Sequence, residues 1–200
     1  MRTQEPASAT IRDRVVDASR SCLAAQGLRR TTVDDIAAAA GVSRATLYRA
    51  FPGGRETILG AVVATEREAL VVALRAAMSP ATSLRDELVA GILAAARWLS
   101  DHAILQRLMF EEPVEVLTHL EFESMDATLA VAADTFAPLL SAHLEAPAAL
   151  RAAEWVTRIT VSYLLFPADG VDLTDPDEAA TLVDRHVLPG VEALREDVRQ

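Results

Sequence analysis

Apolar residues recur along this chain at spacings of three and four, the pattern of amphipathic helices. Ile11, Val15, Ala18, Cys22 and Leu23 form one such stripe from about Thr10 to Gln26, and Gly27 ends it. Between Thr31 and Phe51 the order TTVDDIAAAAGVSRATLYRAF predicts two short helices about a glycine turn. Thr32 caps the first of them, and Asp35 three positions on completes a capping box. Val33, Ile36, Ala37 and Ala40 share a face, and Gly41 stands where a helix ends in the left-handed conformation that glycine tolerates. Ser43 caps the second helix, which turns Val42, Leu47 and Phe51 inward. Arg44, Ala45, Thr46, Tyr48 and Arg49 then face outward, and cations, a hydroxyl and a phenol on one exposed side suit phosphates and base edges.

The pattern continues to the end of the chain. After the turn Pro52-Gly53-Gly54 a long helix is predicted from Arg55 to about Met78, ended by Ser79-Pro80. Ser83 opens the next, with Leu88, Ile92, Ala95 and Leu99 in its stripe, and Asp101 caps a short helix through Phe110. Pro113 interrupts, and a further helical stretch runs from Val114 to Leu144 with a kink at Pro138. Two helices close the chain. One begins near Pro147 and carries Leu150, Ala153, Val156, Ile159, Thr160 and Tyr163; the other begins at Pro176 and carries Ala179, Leu182, Val183, His186, Val187, Val191 and Leu194, with a bend at Pro189. Each of these stripes fits either a partner subunit or the protomer's own core.

The residues T-x-x-x-I-A-x-x-A-G-V-S-x-x-T-L-Y-x-x-F, read from Thr32 to Phe51, resemble the DNA-binding segment of the tetracycline-repressor (TetR) family. The resemblance covers about residues 10 to 60; the rest is similar only in length and helical layout. It implies an all-α chain: an N-terminal three-helix helix-turn-helix domain at residues 1–55, joined through the long helix to a C-terminal helical effector-binding and dimerisation domain at 56–200. It also implies a homodimer on a palindromic double-stranded DNA operator, most simply as a repressor that a small-molecule effector releases. Carried onto this sequence, Arg44, Ala45, Thr46, Tyr48 and Arg49 contact DNA, with Thr31 and Thr32 near phosphates. The family's lysine after the motif phenylalanine has no match. Phe51-Pro52-Gly53-Gly54-Arg55 is one residue longer, which offers Arg55 for that phosphate contact in a shifted register. By the same resemblance a terminal helix pair builds the dimer, through Leu150, Ile159, Leu182, Val183, His186, Val187, Val191 and Leu194.

Charge divides the chain in the same place. Residues 1–55 hold nine arginines against five acids, a charge of +4; the remainder holds ten against 24, a charge of −14. A basic head on an acidic body is expected where only the head meets a polyanion. With 200 residues, 51% of them apolar, the chain can bury a substantial core. No apolar run is long enough for a bilayer, and the start MRTQEPASATIRDR lacks a signal core, so the expectation is a cytoplasmic protein without membrane contact. Cys22 is alone, which leaves no disulfide framework and no cysteine metal cluster.

Catalytic patterns are weak. His102, His119, His143 and His186 lie far apart without metal-ligand spacing, and no phosphate loop or nucleophile elbow occurs. The acidic run around Pro113 (Glu111, Glu112, Glu115, Glu121, Glu123) reads as a solvated face, so no catalytic residue, metal or cofactor is assigned. In a body packed with alanine and valine, large side chains are conspicuous: Trp98, Leu105, Met109, Phe110, Phe122, Met125, Phe136, Trp155 and Tyr163. They either fill the core or, as the family's inducer-binding bodies imply, line a cavity for a hydrophobic effector, with His102, His119, Glu112, Arg158 or Tyr163 among its polar contacts. The alternatives to a regulator are a helical interaction module that keeps the fold without operator binding, and a small helical enzyme using the acidic run.

Overall fold

A computed structural model describes residues 10–111, 122–165 and 170–197, with side chains for all of these except 108–111, 122–128, 165 and 195–197. In chain order the helices are α1 (Ile11–Gln26), α2 (Val33–Ala40), α3 (Arg44–Ala50), α4 (Arg55–Met78), α5 (Leu84–Asp101), α6 (Ala103–Glu111), α7 (Phe122–Phe136), α8 (Ala146–Leu165), α9 (Pro176–Leu182) and α10 (Leu188–Asp197). The described residues contain no strand, and none of their helices is long and apolar enough to cross a membrane.

The chain forms two compact units. One takes the chain through Arg67 and the stretch from Ala103 that contains α6; the other takes Glu68–His102 and the chain from α7 onward. This differs from a division after residue 55, because Ile58 and Val62 of α4 and Ile104 of α6 are buried in the first unit's core.

Local chemistry builds the first unit. Thr10 with Asp13 and Thr32 with Asp35 form reciprocal capping boxes at the starts of α1 and α2. Gly41 ends α2 at φ +63°, and the Ser43 hydroxyl accepts the Thr46 amide to open α3. Val15, Ile36, Leu47, Phe51 and Ile58 close the core. The opposite helix ends are held by arginines. The Arg12 guanidinium donates to Ala50 O while lying 4.2 Å over the Phe51 ring, and Arg14 donates to Ala40 O and Gly41 O. Arg107 of α6 donates to Ala24 O and Ala25 O at 3.1 and 2.7 Å, so the last carbonyls of α1, α2 and α3 all have guanidinium partners.

In the second unit, Leu84, Leu88, Ile92 and Ala96 of α5 pack with an alanine face of α8 (Ala148, Ala149, Ala152, Ala153) and with Ala179, Leu182, Val183, Val187 and Val191. Pro138 sits in a 3-10 turn, Ala137–Leu140, that closes α7. The bend expected at Pro189 takes the form of a π turn, Val183–Val187, between α9 and α10. In a regular helix the proline ring would meet the Arg185 carbonyl, and the wider turn just before it relieves that conflict.

The terminal stripe is a correction to the expected dimer seam. Leu182, Val183, Val187 and Val191 are buried inside the protomer, the last three completely, and a side chain with no exposed surface has none to share with a partner. Leu150 and His186 stay exposed, and Ile159 and Leu194 half-buried.

Candidate DNA interface and body cavity

The exposed face of α3 rests on a seven-residue helix, too short to be stable alone. Leu47 and Phe51, both fully buried, hold it to the core, and this anchoring fixes which residues point outward. Arg44, Ala45, Tyr48 and Arg49 are exposed together, and Thr46 is half-buried with its hydroxyl 2.9 Å from the Ser43 hydroxyl. Arg44 Nη1 donates to both oxygens of Asp34, at 3.0 and 2.9 Å, and its guanidinium lies 5.6 Å from the centre of the Tyr48 ring. The Tyr48 side chain first, and then Asp34, favour the charged guanidinium of Arg44. The Tyr48 ring in turn rests against Gly54. At φ +60° a Cβ there would lie 3.0 Å from Tyr48 Cε1, so the turn needs glycine both for its backbone and for the ring.

Three residues expected at phosphates are otherwise engaged. Thr31 is buried and its hydroxyl donates to Gly27 O at 2.6 Å, which removes it from the surface. Arg55 is half-buried and donates to Leu28 O at 2.6 Å, bracing the loop between α1 and α2. The Thr32 hydroxyl accepts the Asp35 amide and donates to Asp35 Oδ2, so it serves as a cap. Those cap bonds from Thr32 hold the Asp35 carboxyl below its ordinary range. Sequence reasoning missed Asp34 as the partner of Arg44, since only folding brings the first turns of α2 and α3 together.

The second unit contains a cavity of about 120 Å³. Leu74, Leu88, Ile92, Phe136, Leu140 and Val156 provide its apolar walls, and Gly91, Ala95 and Ala153 provide the room. Three polar side chains reach it; the Thr157 hydroxyl donates to Ala153 O, and the other two carry unpaired atoms. Glu87, 7% exposed, has its Oε2 buried without a hydrogen-bond partner and 3.7 Å from His143 Nε2; Thr160, 6% exposed, has a buried hydroxyl that is likewise unpartnered. Burial pushes the Glu87 carboxyl above its usual range, against a smaller opposing pull from His143.

Of the large residues expected to line a pocket, Phe136 does so and the others described stand elsewhere. Trp98 stacks on His102 with ring centres 4.4 Å apart, and Trp155 packs where Gly190 leaves space. Arg158 pairs with Glu154, Tyr163 packs against the second core, and Leu105 lies in the first unit. None of these six is a wall of the cavity. The physical reason is volume: the space opens where small residues of facing helices meet, while bulky side chains fill the room beside them. The side chains of Met109, Phe110, Phe122 and Met125 lie outside the described residues, as do Glu112 and His119.

Comparison with known proteins bears on both units. The family described as bacterial regulatory proteins, tetR family, matches residues 15–62. No curated protein is similar enough to match. Among solved structures, the TetR-family repressor AlkX from Dietzia sp. strain DQ12-45-1b, implicated in biodegradation of n-alkanes, is 25% identical, with 94% of this chain and 98% of that one covered at a TM-score of 0.69. The multidrug binding protein EbrR, solved with imidazole, shares the fold at 20% identity, 90% and 96% coverage and a TM-score of 0.62. The fatty acid degradation regulator FadR from Bacillus halodurans shares it at 19% identity, 87% and 98% coverage and a TM-score of 0.53.

Proposed function

We propose that this chain, which belongs to the TetR family of bacterial regulatory proteins, represses transcription from a palindromic operator as a homodimer and lets go when a small hydrophobic effector fills the cavity of its second unit. Its first unit is the DNA-binding head of a transcriptional regulator. The observation that carries the reading is the outward face of α3, where Arg44, Tyr48 and Arg49 are presented by a helix locked through Leu47 and Phe51. A helix so held enters a major groove without having to order itself first, and Arg44 has the planar fork that reads guanine.

Two heads are needed to read two half-sites, and the remaining outward surface of α8, the π turn and α10 supports a partner there: Leu150 exposed at 42% and Ile159 and Leu194 half-buried, with His186 exposed on the turn. Repression accords with the similarity to AlkX, itself a repressor. A hydrophobic effector accords with the apolar cavity walls and with relatives concerned with n-alkanes and fatty acid degradation. For coupling, α4 contributes Ile58 and Val62 to the head's core and Leu74 and Met78 to the cavity walls. A ligand beside Leu74 and Met78 therefore acts on the helix whose first turns support the head. It releases DNA only by favouring a conformation that binds DNA less well, and operator must weaken its binding by the same factor.

A mobility-shift titration with the DNA flanking the protein's own gene tests this. A shifted band that competitor DNA of random sequence does not remove, and that Arg44→Ala weakens, is the expected result; equal binding to both DNAs by wild type overturns it.

A further inference from the structure

Two of the cavity's polar side chains, Glu87 and Thr160, are an unusual pair. An ionised carboxyl in an apolar wall is costly unless a cation or several donors meet it, and Glu87 Oε2 has neither within hydrogen-bond distance. Among the described residues His143, at 3.7 Å, is the titratable group that faces it, and it stands too far off to donate. Thr160 repeats the pattern: in α8 its hydroxyl could turn back to a carbonyl of the preceding turn, as Thr157 does to Ala153 O at 2.7 Å, yet it has no partner. Native proteins rarely leave two buried polar atoms unpaired in one cavity without a ligand or water to meet them.

Resting on the reading of this cavity as the effector site, we propose that Glu87 and Thr160 receive the head of the effector, and that the effector is a small primary amine with an apolar body. A protonated amine brings three donors and one positive charge. It satisfies both oxygens at once and neutralises Glu87 in place. An alcohol can donate to Glu87 and accept from the Thr160 hydroxyl but brings no charge to offset the carboxylate, and a carboxylate would set a second negative charge against Glu87 in a low-dielectric wall. The cavity limits the body. About 120 Å³ is close to the space that holds one benzene in an engineered protein cavity of about 150 Å³, so a phenyl ring or a chain of about six carbons fits.

Isothermal titration of the full chain with benzylamine, benzyl alcohol, toluene and benzoate tests the inference. Benzylamine is expected to bind at least about tenfold tighter than the other three, and Glu87→Gln to remove that advantage over benzyl alcohol. Thr160→Val, which keeps the side chain's shape, should weaken benzylamine several-fold, with unchanged circular dichroism for both variants. Benzoate or toluene binding as tightly as benzylamine overturns the amine assignment and leaves the cavity as an effector site. Wild-type affinity for benzylamine in Glu87→Gln overturns it equally. If none of the four binds at millimolar concentration while hexylamine, hexanol and hexanoate also fail, the effector-site reading falls, and the amine with it.

Discussion

Replacing Asp34 with asparagine should tighten DNA binding, because Arg44 cannot hold Asp34 and a guanine at once. A single nitrogen, Nη1, meets both carboxylate oxygens, at 3.0 and 2.9 Å, and the two side chains are 61% and 65% exposed. At that exposure solvent screens it to the strength of an ordinary surface ion pair. This is what each head forfeits when Arg44 turns to a base, so Asp34→Asn should raise affinity roughly 1.4- to 5-fold per bound head. Loss of a negative charge beside the phosphates acts in the same direction and fades with added salt. Arg44→Ala should cost about 1 to 3 kcal/mol if the fork reads a guanine. Fluorescence anisotropy with a labelled operator fragment, for wild type, both single variants and the double variant, isolates the pairwise part. Competition requires that the gain from Asp34→Asn shrink once Arg44 is gone. If Asp34→Asn instead weakens binding, the carboxylate orients Arg44 for DNA; if the gain is equal in both backgrounds, the ion pair plays no part.

Gly190→Ala should destabilise the second unit by about 1 to 3 kcal/mol in urea titrations, since its Cβ would lie 2.3 and 2.4 Å from Cη2 and Cζ3 of Trp155. Val187→Ala, at a site with no exposure, should lower protomer stability by about 2 kcal/mol and leave association unchanged in sedimentation equilibrium, whereas Leu150→Asp should leave the fold intact and weaken the dimer. Burial holds the Glu87 carboxyl above its ordinary value of 4.5, so its contribution to stability is complete below that pH and is lost as pH rises through the folded value. Glu87→Gln should therefore melt above wild type near neutrality and converge with it in acid; a constant difference across the range would refute the assignment.

The head was legible because its signals are short-range. Thr32 with Asp35, Gly41 and Ser43 act over three or four residues, so a linear reading finds the caps, the turn and the outward face of α3. Choices between neighbours were not. Thr31 and Thr32 are the same residue type side by side, and only the packed structure sends one hydroxyl to Gly27 O and leaves the other to cap α2. Arg55 looks like a cation offered to phosphate until folding brings Leu28 O to it. In the body, period alone marked Leu182, Val183, Val187 and Val191 as apolar-facing without saying against what. The cavity was the least legible, since it depends on Gly91 and Ala95 of α5 standing opposite Ala153 of α8. A gap left by small residues distant in sequence has no linear signature.

The arginine clamps give the head an unequal response to acid. A guanidinium does not lose its proton in a protein, so the bonds from Arg12, Arg14 and Arg107 to the last carbonyls of α3, α2 and α1 persist at any pH the fold survives. The amino ends of α1 and α2 depend instead on Asp13 and Asp35, whose carboxyls sit below their ordinary value of 3.8 through the cap bonds from Thr10 and Thr32. Their contribution is present above that value and lost as pH falls through the folded one. Acid thus unpicks α1 and α2 from their first turns while their carboxyl ends stay clasped. The start of α3 is fastened by the Ser43 hydroxyl, which has no proton to gain, so α3 should outlast the first turn of α2.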